Sequence, residues 1–247
     1  MSQEEQAITT TDDNYISPEV QALLDQAAAT QAEAETTSIP FMSFKGKKFT
    51  LGEDKLGDKL DVVLLADCFD NAWYDRPYDP KSEDKFPPAC FSIGGEFPHE
   101  TSPAPVNDNC ADCPKNQFGS RGNGKECRNG RRFLIASVGE RGVNLANLAI
   151  MNIAPTTLKA ASKYIKALNV VKGLPYWAVI TKLSFDEDSQ YPMLEFAVGD
   201  SLGGKDLEAI SKSLESFKEL IEQPYDTSNY EAPGDVVQET AKKSKVS

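Results

Sequence analysis

Four of the five cysteines fall in one stretch and are spaced Cys90-x19-Cys110-x2-Cys113-x13-Cys127. Two thiolates separated by two residues can face one tetrahedral ion, and the outer pair can arrive from flanking loops. Thiolates are soft donors that favour zinc or iron–sulfur. The 19- and 13-residue gaps match no iron–sulfur signature, so zinc is the expectation, as one structural ion without an open coordination position. His99, the only histidine, lies between Cys90 and Cys110 and is an alternative ligand. The competing reading is four loop thiols with no ion. Cys68 stands apart inside an apolar run and is expected to pack as a small hydrophobe.

A second constellation surrounds the cysteines. Residues 115–182 hold twelve Lys/Arg and two Glu, although the whole chain of 247 residues carries a net charge of −12. The acids are concentrated elsewhere: residues 1–40 contain eight and no base. A local basic face can hold phosphates whatever the average charge. Single strands also need aromatic faces on which bases stack. The candidates for this work are Trp73, Tyr74, Tyr78, Lys115, Phe118, Arg121, Lys125, Arg128, Arg131, Arg132, Lys159 and Lys163. Trp73, Tyr74 and Tyr78 sit among Asp, Arg and Pro and are expected at the surface, whereas Phe69, Phe91 and Trp177 are expected in the core. The run FGSRGNGKECRNGRR is basic and Gly-rich, so its backbone can approach a phosphate closely. An enzyme is disfavoured. One histidine gives little support to His-based acid–base chemistry, and Pro98-His99-Glu100 lacks the H-x-E and P-C-x-x-C spacing of a zinc deaminase.

The elements that must position these residues follow from hydrophobic period. Phe44–Leu51 reads as a strand with a Lys-Gly-Lys-Lys turn. Leu60–Trp73 is the strongest strand, with Val62, Leu64, Ala66 and Cys68 on one face and Val63, Leu65 and Phe69 on the other. Residues 74–130 are rich in Pro, Gly, Asn and Asp, and an irregular stretch of that length needs a staple or a function. Strands resume at Arg131–Val138 and Asn147–Ile153. Pro155 opens a helix with Leu158, Ala161, Ile165 and Leu168 at helical spacing. Strands at Tyr176–Phe185 and Tyr191–Val198 and a helix at Lys205–Glu222 complete the pattern. This order predicts a mostly β, α+β chain: an OB-like antiparallel barrel at 41–200 with a zinc insertion at 74–130. Residues 1–40 form an acidic flexible tail with a short helix from Ser17, and 201–247 a C-terminal helix and polar tail. Another antiparallel α+β sheet is the alternative. There is no apolar run of about 18 residues and the N-terminus is acidic, so a soluble, cytoplasmic protein is expected.

The strings ACFSIGGE and CADCPKNQFGSRGNGKECRNGRRFLIAS, followed by NIAPTTLKAASKYIKAL, PYWAVITKLSF and YPMLEFAV, resemble a family of tailed-bacteriophage single-stranded-DNA-binding, helix-destabilising proteins. The resemblance covers about residues 40–200. It implies an OB-like fold with a zinc insertion held by Cys90, Cys110, Cys113 and Cys127, and a role in phage DNA replication, repair or recombination in the host cytoplasm. It does not identify the DNA-contacting residues. Such proteins often recruit replication partners through an acidic C-terminal tail. Here Glu219–Glu239 has six acids and no base, the chain finishes KKSKVS, and the strongest acidic segment is N-terminal. Either acidic segment could meet such partners. The alternative function is a zinc-stapled structural or transcription-interacting phage protein that binds no DNA.

Overall fold

The long apolar strand organises the molecule. In a computed structural model that describes residues 38–76 and 86–232, Leu60–Trp73 forms a single 14-residue strand, β4. Before it come β1 (Met42–Ser43), β2 (Phe49–Leu51) and β3 (Asp54–Gly57), a small antiparallel sheet of its own. After it come β5 (Cys90–Ile93), β6 (Arg128–Gly139), β7 (Gly142–Ile153), helix α1 (Pro155–Ala167), β8 (Val179–Phe185), β9 (Leu194–Ser201), α2 (Gly204–Lys212) and α3 (Leu214–Ile221). The main sheet runs β7-β6-β4-β8-β9, and β5 pairs with the last four residues of β4. Every ladder in it is antiparallel. No ladder joins β7 to β9 among the described residues, so the sheet is open and the expected closed barrel is not found. None of the described helices is long and apolar enough to cross a membrane.

By internal contacts the chain separates after residue 38, and every described residue but Ser38 belongs to Ile39–Ser247. The helix expected from Ser17, Tyr78 and the terminal KKSKVS lie outside the described residues.

Five consecutive residues of β4, Val62–Ala66, are buried, because both faces of the strand are covered. On one face Val62 and Leu64 join Phe133, Ile135, Met151 and Ile153 under α1, the small sheet and β8–β9. On the other, Val63, Leu65 and Ala66 join Leu134 and Ile150 under Ile210, Phe217 and Ile221 of α2 and α3. Each fully buried Leu, Ile or Phe contributes roughly 1.5–3 kcal/mol. Two unbroken hydrophobic layers therefore clamp the strand.

The face assignment read from strict alternation is corrected at one point. The β4–β6 register slips between Leu64 and Ala66. A bulge adds one unpaired residue and so reverses the side on which all later side chains emerge. Ala66 and Cys68 consequently lie with Val63 and Leu65 rather than with Val62 and Leu64. The single C-terminal helix is likewise divided: Ser213 leaves helical geometry (φ −106°, ψ 6°) between α2 and α3. Its Oγ donates to the Ala209 carbonyl at 3.1 Å, the back-bonding by which serine bends helices. The Phe44–Leu51 strand is broken by a short 3-10 turn at Lys45–Lys47. Lys47 Nζ there donates to the carbonyls of Asp186 and Glu187 in the β8–β9 connection.

Candidate metal centre and nucleic-acid interface

The insertion packs on the far end of β4. Cys90 opens β5 directly opposite Trp73, Cys110 and Cys113 lie on the following loop, and Cys127 immediately precedes β6. All four cysteines line one cavity of about 20 Å³, floored by Asn71, Trp73 and Ser92. That volume admits a single ion-sized or water-sized body. The backbone around it is tied down. Cys127 N–H donates to the Lys115 carbonyl at 2.8 Å, Cys110 N–H to Glu96 at 2.9 Å, and Asn116 N–H to Cys113 at 2.9 Å. The Asn116 side-chain amide also donates to the Cys110 carbonyl at 2.7 Å. All five cysteines are free thiols.

The thiols feel one another. Burial first, then the neighbouring Cys110, Cys113 and Cys90, push the Cys127 thiol up to about 12. Burial likewise raises Cys90, opposed by a hydrogen bond from the Val106 backbone and reinforced by Cys110 and Cys113. Without a cation, each thiolate makes the next harder to form; a bound divalent ion reverses that order and deprotonates its ligands. The donor set and the cavity both fit a thiophilic ion. The side chains are not drawn into a closed shell, however: among the described residues no group of three or more His, Cys, Asp or Glu stands at ligating geometry. His99 does not line the cavity. Its ring stacks on Phe91 at 5.0 Å and its Nδ1 meets Thr101 Oγ1 at 2.9 Å. Cys68 lies elsewhere, half-buried beside the α3 layer, as expected of a packing cysteine.

Next to this cavity, cations are set over aromatic rings on one sheet face and on the insertion loop beside it. Phe69 is 59% exposed and lies opposite Arg131, whose guanidinium sits 5.7 Å from its ring centre. Phe118 is 81% exposed with Lys125 Nζ at 5.1 Å. Trp73, half-buried at the cavity, has Lys115 Nζ at 5.2 Å. An amide network joins them. Asn129 donates to Asn71 (2.7 Å) and Asn116 (2.9 Å), and Lys125 Nζ donates to Asn116 and Asn129. Two cations on this strip are partly neutralised: Lys115 pairs with Glu126 at 2.8 Å, and Arg131 with Asp67. Lys115, followed by the Trp73 Nε1–H bond, holds the Glu126 carboxyl below the usual glutamate value.

The candidate residues therefore divide. Trp73, Lys115, Phe118, Lys125 and Arg131 come together, with Arg121 exposed on the same loop. Tyr74 is exposed, as expected. Arg128 lies over Gly130, on the opposite sheet face from the strip. Lys159 and Lys163 are exposed on α1, a separate element.

Arg132 is corrected: its side chain is 0% exposed and cannot reach a phosphate at the surface. Its Nε donates to Asp70 at 3.0 Å, its Nη1 to the Gln223 carbonyl at 2.6 Å, and its guanidinium lies 4.5 Å from the Tyr225 ring. Tyr225 Oη–H in turn donates to Asp70 at 2.7 Å. Burial works against the Arg132 charge, but Asp70 and Tyr225 more than offset it, so its pKa rises.

Phe69, expected in the core, is corrected too, because the bulge turns it to the open side of the sheet. Phe91 is buried as expected, and Trp177 packs partly buried against the second layer. Phe97, 61% exposed, was not singled out by the sequence reading; its place between Glu96 and Pro98 was the available signal.

No protein-family model, curated protein or solved structure matches the chain.

Proposed function

We propose that this chain is a sequence-nonspecific single-stranded-DNA-binding protein of phage replication or recombination, acting by binding alone. The observation that carries the reading is the strip itself: exposed Phe69 on the sheet and exposed Phe118 on the adjoining insertion loop, each with a cation over its ring. Bases stack on such rings whatever their identity, and the neighbouring cations neutralise phosphates. Binding then draws melted duplex toward the single strand by mass action.

The strand pairing supports an OB-like core. With β4 as first strand, β6 second, β7 third, β8 fourth and β9 fifth, the ladders are first–second, second–third, first–fourth and fourth–fifth. The helix α1 falls between the third and fourth strands. This is the OB order lacking only its closing ladder, and OB barrels are commonly part-open.

Cys90, Cys110, Cys113 and Cys127 would hold one structural zinc ion, whose binding energy would order a loop with little core of its own. Their common cavity supports this. Acidic flanks would meet replication proteins in the host cytoplasm.

The test is titration of zinc-loaded protein with a labelled single-stranded oligonucleotide and its matching duplex at two salt concentrations. Preference for the single strand with loss at high salt is expected. No binding at low salt would overturn the reading and leave a zinc-stapled interaction protein. For the metal, Cys113→Ser should lose zinc and disorder the insertion; retained metal with unchanged stability would refute the site.

A further inference from the structure

Lys115 and Asn116 belong to the cysteine cavity and to the cation–aromatic strip at once. The Lys115 carbonyl accepts Cys127 N–H at 2.8 Å and Ser120 Oγ–H at 3.0 Å. Its ammonium bonds Glu126 and lies over Trp73, a ring that itself lines the cavity and donates Nε1–H to Glu126 at 3.1 Å. Asn116 holds the carbonyls of Cys110 and Cys113 with its two N–H groups, while its side-chain oxygen accepts Lys125 Nζ at 3.2 Å. Lys125 is the cation over Phe118. Two of the three stacking pairs are thus fastened to the backbone that carries the thiols.

From Asn107 to Cys127 the only regular structure is one 3-10 turn, Pro114–Asn116. A segment with so little structure of its own takes its order from its anchors. An ion gathering four thiols would fix the positions of both pairs, and a strand arriving at fixed platforms loses less free energy to ordering.

We propose that metal occupancy of the four-cysteine cavity and single-strand binding are thermodynamically linked through Lys115 and Asn116, so that each raises affinity for the other. This rests on the nucleic-acid reading above and adds regulation to it: the protein grips DNA more tightly where zinc is available to its thiols. Linkage is reciprocal, so the factor by which zinc tightens DNA binding must equal the factor by which DNA tightens zinc binding.

The experiment measures both sides of that cycle on the full chain. Oligo-dT affinity is determined with one equivalent of zinc and after chelation. Zinc affinity is determined by competition with a chromogenic chelator, with and without saturating oligo-dT. About a tenfold change is expected, equal in the two directions. A Glu126→Gln variant keeps all four thiols but weakens the Lys115–Trp73 arrangement. Its linkage factor should fall toward one while its zinc affinity without DNA stays near the parent value. That variant separates linkage from a general collapse of the zinc-free protein, in which the factor would be unchanged by Glu126→Gln. Zinc and oligo-dT that both bind, with neither affinity moving by more than about twofold, overturn the linkage alone. Zinc-loaded protein that ignores oligo-dT at low salt overturns the nucleic-acid reading, and the linkage with it.

Discussion

At the residue scale, Arg131 and Arg132 are adjacent in sequence and opposite in consequence. Arg131 emerges on the open face beside Phe69; Arg132 emerges on the other and is sealed with Asp70 beneath Tyr225. Arg132→Met therefore strands a buried carboxylate and should cost about 3–5 kcal/mol, read as a fall in the urea midpoint. Adding Asp70→Asn should recover part of the loss. Arg131→Met removes the partner of the half-buried Asp67 and should cost less, about 1.5–3 kcal/mol, while weakening single-strand binding. Phe69→Ala should cost about 1–3 kcal/mol of single-strand affinity at unchanged stability, checked by oligonucleotide titration beside a thermal melt. Cys68 illustrates a half-buried thiol whose one favourable charge, Arg132, is outweighed by desolvation and nearby carboxylates. Burial, against the opposing pull of Arg132, raises it from 9.0 to about 12. Folded and unfolded states both hold that proton below pH 9, so Cys68 affects stability only above it; between pH 9 and 12 the unfolded state ionises first and the fold weakens. Alkylation of Cys68 at pH 9 should accordingly be much slower in the native protein than in urea.

At the scale of elements, β4 does the positioning. Its first half is a core strand and its second half a platform, and the bulge at Leu65 divides the two. The bulge lets one strand bury Val62 to Ala66 on both faces and then turn Phe69 to the open side. The β6 partner must pass closely between β4 and β7. A Cβ on Gly130 would stand 2.7 Å from the Ile153 carbonyl oxygen and 3.5 Å from that of Asp70. Gly130→Ala should therefore push the ladders apart, at a cost of about 1–3 kcal/mol, and reduce hydrogen-exchange protection in β6 and β7 near that residue.

For the molecule as a whole, a net charge of −12 and a basic strip set opposing demands. Long-range repulsion slows the approach of a polyanion, while contacts at the strip hold it. Lys115 and Arg131 already have carboxylate partners, so Arg121 and Lys125 are the strip cations left to neutralise phosphates in full. The salt dependence should be shallow for a single-strand binder. With two to four phosphates neutralised, log K against log salt should slope between about −1.4 and −2.8. A slope steeper than about −5 would mean that cations beyond the strip, such as Lys159 and Lys163 on α1, carry the binding.

The order of the elements was legible in the residues alone. β4 spans the residues its apolar run marked, and α1 begins at the proline that its fixed φ favours for a first helical position. These are local properties: period and turn chemistry are written within a few residues of where they act. Which arginine faces outward, which phenylalanine is exposed and whether the sheet closes were decided only in the tertiary structure. A one-residue bulge reverses every later side chain on a strand, and nothing in the Leu64-Leu65-Ala66 run marks its place, because all three residues suit burial equally well. Closure depends on whether β7 and β9, distant in sequence, meet at hydrogen-bonding distance, and no short-range pattern encodes that separation.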